Sequence, residues 1–107
     1  MTFYFLNTCP ACPEEYTIYL DSGEQVAYVS LRWGILRVET PSYNGNLIYI
    51  NKFEDNMKGV FESQDERDFY LETITGVLKT ECGFGGDVSY KVFNDVSWLS
   101  KEIYGDG

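Results

Sequence analysis

Histidine is absent from all 107 residues. With it go the side chain that most often serves as a general base near neutral pH and the commonest nitrogen ligand for a metal ion. Cysteine is scarce, with Cys9, Cys12 and Cys82 the whole set. An odd count without an export signal fits a reducing cytosol better than a disulfide framework. Structural zinc asks for a tetrahedral set, commonly built from paired Cys or His. One close pair and a distant single do not supply it, so neither a metal nor another cofactor is expected.

Long apolar runs are also missing. None approaches the roughly 18 residues needed to cross a bilayer, and the opening MTFYFLNTCP lacks the basic start and long apolar stretch of a signal peptide. The expectation is a cytoplasmic protein. Positive charge is in short supply, with 8 Lys and Arg against 17 Asp and Glu for a net charge of -9. That balance repels phosphate backbones and anionic lipid, so neither direct nucleic-acid binding nor a membrane surface is expected. "GFGGD" at 83–87 has no Lys-Ser/Thr to make a phosphate loop, and no Ser or Cys stands in a nucleophile motif. A non-catalytic protein is expected.

What the chain does have is aromatic residues, 17% of the total with nine Tyr. That content argues against disorder, which needs low hydrophobicity alongside high charge. The length suits one domain over 1–107. In the first half, Thr2–Leu6, Glu15–Leu20 and Gln25–Arg32 read as strands, two of them with clear period-two alternation. Asp21-Ser22-Gly23-Glu24 is turn chemistry. Trp33-Gly34, between "YVSLR" and "ILRVE", reads as a two-residue hairpin turn, because one continuous strand would be too long. The cluster Pro41–Asn46 is a further turn, and Leu47–Phe53 the next strand.

The second half changes period. Ser63 and Glu66 form a capping box, acids crowd the first turn, and Tyr70, Leu71, Ile74, Val77 and Leu78 recur at helical spacing. A helix over 64–82 is predicted, stopped by Gly83, Gly85 and Gly86. Val88–Phe93 reads as a strand. Asn94 then caps a short helix carrying Val96, Leu99 and Ile103. The fold class is α+β: an antiparallel meander of about five strands packed against one long helix, with a further C-terminal strand and short helix.

Two features are candidates for function. "TFYFLNTCPAC" resembles the opening of a glutaredoxin or thioredoxin-like domain, where a strand runs into Cys-Pro-x-Cys. The resemblance implies a thiol redox site with Cys9 as nucleophile and Cys12 as its partner. It covers about a dozen residues. The following "PEEYTIYLDSGEQ" alternates like a strand, where the family needs a helix to stabilise the thiolate. The structural alternative is a connecting loop with two small, partly buried thiols. Adjacent acids such as Glu14/Glu15 and Glu54/Asp55 read as solvated loop residues.

The second feature is surface. Glu62, Asp65, Glu66, Asp68 and Glu72 gather around two helical turns, with Arg67 in reply. Dipole complementation accounts for Asp65 and Glu66 but does not reach Glu72. Trp33 and Tyr43, in turns, are expected to project into solvent, as interface aromatics do. These residues together predict a protein-binding surface for a basic partner. In its sharpest form the domain is a nucleic-acid mimic occupying the basic groove of a nucleic-acid-binding protein. Small acidic inhibitors carried by phages against restriction or CRISPR nucleases are similar in size and charge. A third reading is an accessory subunit that forms a homodimer through its aromatic surface.

Overall fold

The computed structural model describes residues 1–7 and 14–93. Cys9, Cys12 and the short helix expected after Asn94 lie outside the described residues. The elements are β1 (Thr2–Asn7), β2 (Glu15–Tyr19), β3 (Gln25–Arg32), β4 (Ile35–Thr40), β5 (Asn46–Lys52), α1 (Gln64–Cys82) and β6 (Ser89–Phe93). The fold is α+β, as the change of period predicts. Strands β1 to β5 form an antiparallel meander, and β6 adds beside β1 in parallel, giving the order β5-β4-β3-β2-β1-β6.

Helix α1 makes that topology possible. It leaves from the β5 side and returns the chain to the opposite edge, touching both edge strands. Its 19 residues span roughly 28 Å at 1.5 Å each. Five inter-strand steps of about 4.8 Å come to nearly the same width.

Strand pairing sorts the side chains onto two faces. Phe5 lies opposite Ile18, Ile18 opposite Ala27, Val29 opposite Val38, and Leu31 opposite Leu36. All are fully buried, and α1 covers them with Leu71, Ile74 and Leu78, joined by Phe61 from the preceding loop. The opposite face carries Tyr28, Ser30 and Arg32 of β3, paired with Glu39, Arg37 and Ile35 of β4. At the β1 end of that face, Tyr4, Leu6 and Phe93 form a second small cluster.

Trp33-Gly34 is a hairpin turn, as its length argument predicts, and both residues have positive φ, 53° and 72°. At the helix start the Ser63 hydroxyl accepts the Glu66 amide at 3.1 Å. The return bond differs from a simple capping box. Glu66 accepts the Glu62 amide at 2.9 Å rather than that of Ser63, because the same oxygen also binds the Lys58 ammonium at 3.0 Å in the preceding loop. Of the three glycines expected to stop the helix, Gly83 does so. Its φ is 73°, and the Phe84 amide closes back on the Lys79 carbonyl at 3.1 Å, the left-handed stop that a residue without Cβ takes cheaply.

Candidate functional site on the helix and on the open sheet face

The acids of α1 divide by what surrounds them. Glu66 is held by Lys58, which also lies 3.9 Å from Glu62. Only 9% of Lys58 is exposed, and its ammonium sits 5.1 Å from the centre of the Phe53 ring. Partial burial by itself raises the Glu66 carboxyl. The Glu62 amide and the Lys58 charge outweigh it and leave Glu66 below its ordinary value. Asp68 accepts from the Gln64 amide at 2.8 Å and from the Tyr90 hydroxyl at 3.4 Å. Asp65 and Glu72 have no ion pair or hydrogen bond to their carboxylates among the described residues.

Arg67 does not answer these acids. It turns inward to Glu14, donating from Nε at 3.1 Å and Nη2 at 2.7 Å. Glu14 is 6% exposed and also accepts from the Tyr16 hydroxyl at 2.6 Å and the Phe61 amide at 3.3 Å. Burial would raise this carboxyl. The fork from Arg67 and the two further donors overcome that and hold it below the usual range. The expectation that Glu14 is a solvated loop acid is therefore corrected. It is a buried node joining β2, the loop before α1, and α1, and its partner lies 53 positions away. Glu15 is not free either, since it accepts from Tyr28 and pairs with Arg32 at 3.1 Å.

Phe69, unremarked at sequence level, is 62% exposed. It stands four residues after Asp65 and three before Glu72, so the two unpaired carboxylates are its neighbours along one helix face. The signal was present: Phe69 falls outside the apolar stripe of Leu71, Ile74 and Leu78. One turn beyond Glu72, Gly76 leaves open space where a Cβ would stand. It floors a depression of about 370 Å³ between α1 and β6, walled by Glu72 and Tyr90.

Trp33 and Tyr43 are 68% and 65% exposed. The structure places both with the sheet face opposite α1, away from the helix acids. They line a groove of about 650 Å³ over β3 and β4. Tyr43 sits edge-on to Tyr28 with centroids 5.3 Å apart. Trp33 is carried by a turn that is fixed on both sides: Gly34 donates to the Lys58 carbonyl at 2.8 Å and accepts from the Phe53 amide at 2.8 Å. A left-handed Trp costs about 1 kcal/mol against residues that adopt this conformation easily.

Cys82 is the one cysteine among the described residues, and it is exposed. Partial desolvation, then Glu81 and Glu24, push its thiol upward, the reverse of an activated thiolate. Among the described residues there is no group of three or more acidic or Cys side chains arranged to hold a metal ion. No helix there is long and apolar enough to cross a membrane. Comparison with known proteins found no matching family model, no matching curated protein and no matching solved structure.

Proposed function

We propose that the chain is a non-catalytic, acidic protein-binding domain that presents the outer face of α1 to a basic partner. One observation carries this reading: the exposed Phe69 lies between Asp65 and Glu72, carboxylates with no cation against them among the described residues. Solvation alone explains surface acids, but it gives no reason for a large aromatic ring among them. A ring that buries its area on docking, flanked by charges that steer and select a cationic surface, is the composition of a binding hot spot. The depression beside Gly76 offers a partner's lysine or arginine a place next to Glu72.

The sharper form is an inhibitor that mimics nucleic acid in the basic groove of a nuclease or another nucleic-acid-binding protein, as phage counter-defence proteins do in the cytoplasm. Asp65 and Glu72 stand about 10 Å apart along the helix, a repeated negative charge on a rigid rod. Glu62 and Glu66, shared with Lys58, contribute less to such a face.

The test uses a nucleic-acid-binding protein captured from the host on the immobilised domain and then purified. Its affinity is expected to fall steeply with salt. Asp65→Asn with Glu72→Gln should weaken it about tenfold, or 1.4 kcal/mol, and Phe69→Ala by a similar factor. The partner's own nucleic acid should compete. Affinity indifferent to salt and to all three substitutions removes the reading.

A further inference from the structure

The groove on the open sheet face is separate from the helix surface and has a chemistry of its own. We propose that it binds a neutral oligosaccharide chain, stacked on Trp33 and Tyr43 at its two ends and hydrogen-bonded between them.

The size and outline fit. A groove of about 650 Å³ falls within the range of small-ligand sites. It runs along β3 from Tyr28 to Arg32, roughly 13 Å at the strand rise, with Tyr43 beyond one end and Trp33 beyond the other. That length takes several sugar rings in a row rather than one.

The distribution of polar groups separates this occupant from a protein. Protein interfaces bury an apolar centre inside a polar rim. Here the order is inverted: Ser30 and Arg37 occupy the middle, Glu39 lies beside Tyr28 towards one end, and the aromatic rings stand at the ends. Sugar rings match that order, with C–H faces that lie flat on aromatic rings and hydroxyls that both donate and accept. An extended peptide would also lack main-chain partners. Strands β3 and β4 are interior, so their backbone groups are spent within the sheet, and peptide recognition by strand addition needs an edge.

Charge separates it from an anion. Glu15 and Glu39 balance Arg32 and Arg37 along the groove, and Glu15 already pairs with Arg32. The molecule around them carries -9, which repels a polyanionic chain before contact.

The position of Trp33 is a further argument. Its two-residue turn favours Asn, Asp or Gly at positive φ, and this chain instead spends that position, at φ 53°, on a large exposed ring. Folding is served worse by Trp here than by Asn, while a stacking platform requires it.

The experiment titrates the full chain with cellohexaose, maltohexaose and chitohexaose by calorimetry and by tryptophan fluorescence, with oligogalacturonate as the anionic control. Saturable binding of at least one neutral hexasaccharide is expected, unchanged by added salt. Trp33→Asn should weaken it at least tenfold while raising the thermal midpoint, a combination that loss of folding cannot produce. Tyr43→Ala, with native far-ultraviolet circular dichroism, should also weaken it severalfold. Absence of saturable binding by all three neutral sugars at millimolar concentration overturns the proposal. So does binding confined to oligogalacturonate and abolished by salt, which would mark an anion site at Arg37. If instead the protein partner of the helix face loses affinity in Trp33→Asn and no sugar binds, the groove belongs to that protein interface.

Discussion

Glu14 shows how much a single residue depends on partners far along the chain. It satisfies Arg67, Tyr16 and the Phe61 amide at once. Removing its charge leaves a partly buried guanidinium facing a neutral amide. Glu14→Gln is expected to cost about 2–4 kcal/mol, measured by urea unfolding at neutral pH. The acid limb follows from the lowered carboxyl. Between the folded and unfolded pKa the unfolded chain binds more protons. The Glu14 contribution is therefore complete above the ordinary carboxyl value, about 4.5, and is lost as pH falls through the folded value. Wild type should lose stability more steeply than Glu14→Gln below that point. Tyr16 acts at the other extreme. Burial first and Glu14 second raise its phenol, so its contribution is present below the unfolded phenol value of about 10 and fades as pH climbs beyond it. Nothing local in "PEEY" distinguishes Glu14 from a solvated acid, because the reason for its burial is an arginine on another element.

Helix α1 was legible as an element because its start, stripe and stop are all local. Ser63 caps it, Leu71, Ile74 and Leu78 face the sheet, and Gly83 ends it. Its outer face was only partly legible. Asp65 and Glu72 were visible as acids, yet that they remain unpaired among the described residues while Glu66 does not depends on where Lys58 lies. Gly76 is the weak point of the helix, since it sits in an exposed interior turn with open space around it. Gly76→Ala is expected to stabilise the protein by about 0.5–1 kcal/mol, through the backbone freedom that glycine loses on folding. Thermal unfolding checks this. If the depression beside Glu72 receives a partner's basic side chain, a bulkier Gly76→Gln should keep the fold and weaken that partner.

The whole molecule carries more like charge than its few cations can offset. At low ionic strength the carboxylates of an acidic compact chain repel one another more strongly than those of an expanded one. The half-buried pairs, Glu14 with Arg67 and Glu66 with Lys58, each have one member withdrawn from solvent and change less with salt. Raising ionic strength from about 0.01 M to about 0.15 M shortens the screening length from roughly 30 Å to roughly 8 Å. The thermal midpoint of the free protein should therefore rise. A midpoint that falls would mean that the internal pairs dominate the balance of charge. The same global charge sets the two proposed surfaces apart, since the helix face seeks cations while the sheet groove, internally balanced, does not.

Period-two alternation, turn residues, a capped amphipathic stretch and a glycine stop are short-range properties, and they determined the α+β class, the Trp33-Gly34 hairpin and the bounds of α1. Tertiary structure alone decided that β6 lies parallel to β1, that Arg67 and Lys58 each choose particular carboxylates, and that Trp33 and Tyr43 share a groove on the face away from the acids. Local preferences extend over a few residues of backbone. Which charges pair, and which rings meet, depends on the folding of distant segments onto two sides of one sheet.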